Sequence, residues 1–385
     1  MQRYFSRLFF KIFPFLKTKI EPVSIDEVEG LIKQKVADSE VFSLQKANDV
    51  YGNFHEDFDQ DAYTVTIPEL NVYTLKYGIV ENGLEEIYTS KKQVISEYTT
   101  QETNPRIGEY FPINPVKKIR GSLAYFNLSG LENYYAHFWC EYIAQIYLLW
   151  KSGIKADYYI FTQEHFWQKE FISIICRVFN IPQNKIISLQ KGIMLKPDTL
   201  IFTSLINSKE KVSINGRFVY DKVYAPSFLK DIYRLLAESI PANNEYGEKI
   251  YITREKAAVR KSNNEKEVQE LVKKNGFYIL DAEDFSISEK IAIFKNAKYL
   301  ISTVGSNNSS FFVTQRKNAE VLLLYPYYFP ERQFKILSQI LNIKYNFIRC
   351  NTSDKDIHSS EVREDDLTVD LDGIKIFLDN IASER

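Results

Sequence analysis

The segment KIYIT at residues 249–253 begins a run in which short apolar segments alternate strictly with helical patterns. Further apolar segments of strand length lie at residues 277–280, 299–303 and 321–325. A strand that connects to the next one through a helix pairs with it in parallel, and the helices then cover both faces of the sheet. The sequence therefore predicts a doubly wound α/β domain in this part of the chain.

Capping signals mark the helices of this run. Ser286 and Glu289 have the S-x-x-E spacing of a capping box, which satisfies two N–H groups at the start of a helix. Asn264 precedes the helix between the first two strands, and Gly276 follows that helix at a position that favours a left-handed residue. A further short helix is expected after Ser310. These signals support the alternation of strands and helices.

A second α/β pattern comes earlier in the chain. A long apolar helix is predicted up to Trp150, and a strand at residues 157–162 follows it. The polar segment PANNEYGE at residues 241–248 is rich in turn formers, which indicates a boundary between two domains. The predicted fold class is therefore α/β, with two Rossmann-like lobes that face each other across a cleft.

We accordingly divide the chain into four segments. They are a basic and aromatic segment at 1–20, an N-terminal α/β domain at 21–240 whose first part is irregular and rich in strands, a C-terminal Rossmann-like domain at 241–350, and a C-terminal extension at 351–385. The extension is expected to pack back on the N-terminal lobe.

Composition and charge exclude several classes of protein. The 385 residues include 45% apolar and 26% charged residues, so neither a disordered chain nor a polytopic membrane protein fits. The chain has 49 Lys and Arg residues and 50 Asp and Glu residues, so it has no overall positive charge that would attract nucleic acid. Three cysteines that lie far apart suit a reducing cytoplasm better than a disulfide framework. We therefore expect a globular, cytoplasmic protein without a nucleic-acid partner.

Residues 1–20 combine five basic side chains with several Phe and Leu residues and contain no acid. Lys11 interrupts the apolar run well before the ~20 residues that a membrane span needs. No small-residue cleavage site follows, so the segment is predicted to be neither a transmembrane helix nor a signal peptide. Two interpretations of the segment are equally compatible with its composition: it lies on an anionic membrane surface, or it docks on the protein itself.

The residues that follow the predicted strands form a candidate anion site, since ligands of doubly wound sheets lie beyond the carboxyl ends of the strands. Arg254 follows the first strand, and Arg260 comes six residues later. The third strand leads into a loop of small and polar residues, namely Gly305, Ser306, Asn307, Asn308 and Ser309. Free backbone N–H groups at the start of a helix bind phosphate, and two arginines can balance the negative charge of a diphosphate. A structural ion pair is the competing interpretation of Arg254.

His137 and Glu141 are the candidates for acid–base chemistry. They lie four residues apart in a predicted helix, so both side chains share one face and the carboxylate can orient the imidazole. A general base and a buried histidine that is tied to a neighbour are both compatible with this spacing.

Several short motifs, taken in order, resemble glycosyltransferase family 61 over about residues 120–350. The matching residues are Asn133, Tyr134 and His137; Lys249 to Arg254; Arg260, Asn264 and Glu265; Gly276; Ser286 and Glu289; and Gly305. The resemblance implies a two-domain fold of the GT-B type and an inverting transfer from a nucleotide sugar without a catalytic metal ion. Bacterial members of this kind look like enzymes of capsule or lipopolysaccharide assembly.

The resemblance also implies a role for each lobe. The C-terminal lobe would bind the nucleotide diphosphate of the donor, for which we expect a UDP-sugar, through Arg254, Arg260 and the loop at residues 305–309. Glu289 would accept hydrogen bonds from the ribose hydroxyls. His137 would face a glycan or lipid-linked glycan acceptor. Such an enzyme is expected in the cytoplasm and, if residues 1–20 bind lipid, on the inner face of the cell membrane.

No metal site or cofactor is predicted. No His or Cys pair has the spacing of metal ligands. Asp57 and Asp59 form a D-x-D motif, but its likeness to the acidic motif of metal-dependent sugar transferases is superficial because no clear strand precedes it. The arginines and the polar loop would therefore balance the charge that a metal ion neutralises in other transferases.

The chain departs from the family pattern at two places. Family members commonly have G-x-H-G-A before the helix, where this chain has Val304 at the histidine position. The spacing between Tyr134 and His137 is one residue longer than in the family. Two other functions stay open: a non-catalytic binding or scaffold protein of polysaccharide assembly, and a pyruvyl transferase on the same architecture.

Overall fold

The chain forms two compact units. The computed structural model describes residues 18–56, 58–59, 61–81, 86–98, 111, 114–126, 128, 133–187, 192–214, 217–327, 332–352 and 365–383. The first unit comprises the described residues among 1–38, 69–172 and 179–205, and the second comprises those among 39–68, 173–178 and 206–385.

The strands, numbered along the chain, are β1 (Pro22–Val23), β2 (Leu31–Ala37), β3 (Glu40–Leu44), β4 (Tyr63–Ile67), β5 (Leu70–Lys76), β6 (Ile79–Glu81), β7 (Ile87–Tyr88), β8 (Val94–Ile95), β9 (Val116–Tyr125), β10 (Tyr158–Ile160), β11 (Met194–Thr203), β12 (Asn207–Ile214), β13 (Arg217–Tyr224), β14 (Lys249–Thr253), β15 (Tyr278–Asp281), β16 (Tyr299–Thr303), β17 (Glu320–Pro326), β18 (Lys344–Thr352) and β19 (Leu367–Thr368).

The α-helices are α1 (Tyr135–His137), α2 (Ile143–Lys151), α3 (Phe166–Val178), α4 (Pro226–Glu238), α5 (Glu265–Lys274), α6 (Ile287–Phe294), α7 (Gln333–Ile340) and α8 (Leu371–Ser383). A π-helical turn, Phe138–Tyr142, joins α1 to α2. Short 3₁₀ helices lie at Ile25–Glu27, Ser96–Tyr98, Gln183–Lys185, Ala282–Asp284 and Ser306–Val313.

The first unit contains a mixed sheet of nine strands. Their order is β1-β8-β7-β6-β11-β5-β2, and β9 and β10 extend the sheet beside β11. The pairs β10–β9, β9–β11 and β1–β8 are parallel, and the other pairs are antiparallel. The α/β prediction is confirmed, but this sheet is not the parallel sheet of a Rossmann-like lobe. The connections between β6, β7 and β8 are too short for a crossover helix, so these strands pair as antiparallel neighbours.

Helix α2 is a core element of the first unit. Every residue from Ile143 to Leu149 is buried, as expected for a helix that is apolar around its whole circumference. All five residues of the preceding π-helical turn, Phe138–Tyr142, are buried as well. The long apolar stretch in the sequence is therefore one helical rod that begins at Tyr135 and ends at Lys151.

The second unit contains the doubly wound sheet that the sequence predicted. Its strand order is β15-β14-β16-β17-β18, every one of these pairs is parallel, and β19 adds an antiparallel strand at the edge. In chain order this is the 2-1-3-4-5 arrangement of flavodoxin-like sheets, whose topological switch point lies between the first and third strands. The strand and helix pattern of this region is confirmed.

The C-terminal helix α8 packs within the second unit. Ile374 and Phe377 belong to one buried cluster with Tyr251 of β14. Asn264 begins helix α5 as predicted, but its side chain exchanges two hydrogen bonds of 2.9 Å with the backbone of Val369 and does not cap the helix. The described residues 365–383 of the extension pack on the C-terminal sheet, and Asp370 also accepts a hydrogen bond of 2.5 Å from the Tyr51 hydroxyl. The expected packing of the whole extension on the N-terminal lobe stays a prediction.

A buried ion pair joins Asp59 to helix α7 of the same unit. Lys335 Nζ lies 2.6 Å from both carboxylate oxygens of Asp59, and the side chains are only 2% and 1% exposed. Asp59 also accepts a hydrogen bond of 2.9 Å from the backbone N–H of Ala47. Burial lowers the pKa of Lys335, and the carboxylate opposes that shift. Asp59 of the D-x-D motif is thus engaged in a structural pair, while Asp57 lies outside the described residues.

Substitution Asp59→Ala is expected to destabilise the protein by about 3–5 kcal/mol, because it leaves the Lys335 ammonium buried without its partner. Urea unfolding at neutral pH measures the loss, which should shrink as the pH rises and Lys335 loses its proton. The double variant Asp59→Leu/Lys335→Met should recover most of the stability, since it removes both charges.

Asp38→Ala is the matched control, because Asp38 pairs with Lys35 on the surface, where its side chain is 85% exposed. The control should leave the unfolding midpoint nearly unchanged. Equal effects of Asp38→Ala and Asp59→Ala would contradict a structural role of the buried pair.

Candidate functional site

The switch point of the parallel sheet places two loops side by side. Strand β14 pairs in parallel with β16, with Ile252 opposite Ser302, so the chain leaves both strands at the same edge of the sheet. Arg254 directly follows β14, and Gly305 follows β16 after a single residue, Val304. The predicted anion-binding residues are therefore brought together by the strand order.

Arg254 is largely buried at this edge. Its Nη2 donates to the carbonyl of Val259 at 3.0 Å, and its buried Nε has no hydrogen-bond acceptor in the described structure. The guanidinium lies against Gly305, where a Cβ atom would collide with Nη1. A larger residue at position 305 would displace the guanidinium, so the glycine allows the arginine to approach the backbone closely.

Arg260 lies beside Arg254. Its backbone has a positive φ of 57°, and its Nη1 donates to the carbonyl of Val304 at 3.1 Å. Burial, and then the charge of Arg260, lower the pKa of Arg254 to about 10. Glu283 attracts Arg254 at longer range, but no carboxylate in the described part of the chain forms a salt bridge with it. The described residues therefore give Arg254 no direct ion pair, and its role in binding an anion stays a prediction.

The loop after β16 is helical from its start. The 3₁₀ helix begins at Ser306, whereas the sequence predicted a helix only after Ser310. Within this helix, Asn308 N donates to the carbonyl of Gly305 at 3.0 Å. Asn308 Oδ1 accepts from Ser302 Oγ at 3.2 Å. The buried Asn308 Nδ2 and Ser309 Oγ find no partner among the described residues. This edge of the sheet thus holds several buried donors whose hydrogen bonds are unmade, which is rare in proteins.

A small recess with a volume of about 10 Å³ opens at this edge. It is lined by Ile252, Thr253, Arg254, Ala257, Asp281, Glu283, Ser302, Asn307 and Asn308. Asp281 accepts from Glu283 N at 3.1 Å and pairs with Lys256 at 3.3 Å. Asp281 ends β15 and Glu283 follows it, and the strand-end rule that pointed to the arginines also identifies both acids as neighbours of the site.

Glu289 is occupied elsewhere. The predicted capping box is confirmed: Glu289 N donates to Ser286 Oγ at 3.2 Å, and Ser286 N donates to Glu289 Oε2 at 2.8 Å. The hydrogen bonds from Ser286 lower the pKa of Glu289. Glu289 is not among the residues that line the recess. Its contact with a ribose stays a prediction.

His137 and Glu141 form the pair that their spacing predicted. His137 Nδ1 lies 2.5 Å from Glu141 Oε1, the imidazole side chain is 24% exposed, and the carboxylate side chain is 3% exposed. A carboxylate that accepts the Nδ1 proton leaves Nε2 as the basic nitrogen of a neutral imidazole. The π-helical turn begins immediately after His137, and such turns are frequent at functional sites.

Aromatic side chains that the sequence analysis did not select surround this pair. Tyr134 is 64% exposed, and its ring meets the His137 ring edge to face at 6.3 Å. Phe166, at the start of α3, is 82% exposed, and the neighbouring Trp167 contacts Phe138 at 5.1 Å. The signal in the sequence that could have identified these residues is the presence of aromatic residues next to His137, the candidate base.

The two candidate centres belong to different units. His137 and Glu141 lie in the first unit, whereas both arginines and the loop after β16 lie in the second. Within the described ranges no group of three or more His, Cys, Asp or Glu residues is placed to hold a metal ion. None of the helices described is both long and apolar enough to cross a membrane, and residues 1–17 lie outside the described part.

Comparison with known families gives one match. The family model described as Glycosyltransferase 61 matches residues 135–321, a range that contains His137, Glu141, both arginines and the loop after β16. No curated protein matches the chain at a significant level. The match agrees with the family that the sequence motifs resemble. The match covers slightly less than half of the chain, and it supports glycosyltransferase activity.

Proposed function

We propose that the protein transfers a sugar, with inversion and without a metal ion, from a nucleotide sugar to a glycan or lipid-linked glycan during synthesis of a surface polysaccharide. The observation that carries the donor site is the partly buried Arg254, whose buried Nε has an unmade hydrogen bond and which has a second arginine beside it. A guanidinium with an unmade hydrogen bond, which a second guanidinium repels, favours an anionic ligand.

A diphosphate would accept the hydrogen bonds that the buried donors at this edge of the sheet leave unmade. Its oxygens accept from Arg254, Arg260 and the first N–H groups of the 3₁₀ helix at Ser306, and the positive end of that helix adds to the attraction. The additional negative charge that develops on the diphosphate as the sugar leaves is then balanced by arginine, the task that a metal ion performs elsewhere. A UDP-sugar is the donor that we propose.

The acids after β15 suit the nucleoside. Glu283 lines the recess next to Arg254, and carboxylates accept hydrogen bonds from ribose hydroxyls. Because Glu289 is engaged in its capping box, Glu283 is the better candidate for the ribose contact. This assignment extends the arrangement of Rossmann-like sheets, where an acid near the phosphate loop binds the ribose.

His137 is proposed as the general base. Nε2 accepts the proton of the acceptor hydroxyl while the oxygen of that hydroxyl forms a bond to the anomeric carbon of the donor sugar. At the same time, the bond between the anomeric carbon and the diphosphate oxygen breaks on the opposite face of the sugar. Glu141 accepts from Nδ1–H and stabilises the imidazolium that forms. This reaction requires a GT-B-type arrangement, in which the two units face each other across a cleft, and we propose that arrangement for the active enzyme.

Arg254→Ala is expected to weaken UDP binding by about 1.5–3 kcal/mol, the range of a hydrogen bond to a charged group. Isothermal titration calorimetry measures the change. Arg234→Ala is the matched control, because Arg234 is an exposed arginine of the same unit that pairs with Glu238. Unchanged UDP affinity in Arg254→Ala would show that the diphosphate binds elsewhere.

His137→Gln should lower the turnover number by about 100- to 10,000-fold, since glutamine keeps much of the shape but not the basicity of histidine. UDP affinity should stay within about 0.5 kcal/mol of the wild type, because the substitution lies in the other unit. His165→Gln, at an exposed histidine of the first unit, is the control. Near-normal turnover in His137→Gln would make His137 structural and leave Glu141→Gln as the next variant to assay.

Sugar transfer is expected to continue in excess EDTA, because arginines balance the diphosphate charge. The assay compares initial rates with and without chelator at saturating donor. Complete loss of activity that Mg²⁺ restores would contradict the metal-independent mechanism.

A further inference from the structure

A second cavity lies in the first unit, at the C-terminal end of helix α2. Its volume is about 400 Å³, which is within the range of small-molecule sites. At 1.5 Å per residue, the helical rod separates Trp150 from His137 by about 20 Å. The cavity is therefore distinct from the candidate catalytic pair.

The cavity has a rigid aromatic wall. Trp150 lines it and is 44% exposed, an unusual exposure for so large an apolar side chain. The indole is supported by Tyr147, with ring centroids 5.7 Å apart, and by Phe179, with centroids 5.4 Å apart. A flat aromatic face held from two sides is suited to stack on the apolar face of a pyranose ring.

The backbone of one residue, Ala156, positions two polar groups of the lining. Ala156 N donates to the hydroxyl oxygen of Tyr159 at 3.2 Å, and Lys185 Nζ donates to the carbonyl of Ala156 at 3.3 Å. Tyr159 is only 7% exposed, and its hydroxyl proton has no acceptor among the described residues. A buried hydroxyl of this kind is ready to donate to an oxygen of a ligand.

The charge of the lining is positive. Lys155 and Lys185 contribute to it, and the described lining residues include no Asp or Glu. Lys155 is exposed and forms no salt bridge within the described part of the chain. A neutral sugar would use the aromatic wall and the hydroxyl but would offer no negative charge to either ammonium group.

We propose that this cavity binds an acidic sugar unit, a pyranose that carries a carboxylate or a phosphate group. The ring stacks on Trp150, an oxygen of the sugar accepts from the Tyr159 hydroxyl, and the acidic group pairs with Lys155 and Lys185. The site goes beyond the proposed transfer reaction, since it holds a glycan about 20 Å from the proposed base. It is an accessory saccharide site on the acceptor-side unit.

The test measures binding to the full chain by calorimetry with two probes of equal length. One is a tetrasaccharide of alternating glucuronate and N-acetylglucosamine, and the other is the neutral tetramer of N-acetylglucosamine. The acidic probe should bind at least about tenfold more tightly, and its affinity should fall as salt screens the lysines. Equal affinities, or no binding of the acidic probe, would overturn the proposal.

Variants locate the binding. Lys155→Glu reverses the charge of an exposed side chain without disturbing packing and should weaken binding of the acidic probe at least about tenfold, as should Trp150→Ala. Lys169→Glu makes the same charge change on an exposed lysine outside the cavity and should change the affinity by less than about twofold.

His137→Gln should bind the acidic probe like the wild type. Loss of binding in His137→Gln but not in Lys155→Glu would overturn the proposal and place the probe at the catalytic pair. No nucleotide is present in this experiment, so its failure is distinguishable from a failure of the proposed transferase mechanism.

Discussion

The close approach of Arg254 to Gly305 is the contact on which the donor site depends. It exists because β14 and β16 are parallel neighbours, so that two segments far apart in sequence leave the sheet at one edge. The arginine is partly buried beside Arg260, and both burial and that second charge disfavour its protonated form. An anion at this edge would attract both guanidinium groups and so offset these two effects. The strand order, the glycine and the unmade hydrogen bonds therefore all favour an anionic ligand.

A comparable constraint shapes the first unit. The rod that begins at Tyr135 is buried along most of its length, which fixes its position in the unit. Only its two ends reach accessible space, with His137 partly exposed at one end and Trp150 at the other. The proposed base and the proposed accessory saccharide site are thus held at a constant separation by the same rigid element.

The features that could be predicted are those that depend on local pattern. The capping box at Ser286 and the His137–Glu141 pair follow from spacing within one helix, and the parallel sheet follows from strict alternation of strands and helices. The pairing of Asp59 with Lys335 joins residues 276 positions apart, so no local pattern contains it. The mixed sheet of the first unit was missed because β11 pairs with β5, β6 and β9 across long sequence separations, which no local pattern contains.

A crystal structure of the protein with a bound nucleoside diphosphate tests the central claim most directly. The account predicts that the diphosphate lies at the carboxyl ends of β14 and β16, with its oxygens within hydrogen-bond distance of Arg254 and of the backbone N–H groups that follow Gly305. A diphosphate bound at the opposite edge of that sheet, or in the first unit with Arg254 unchanged against Gly305, would contradict it.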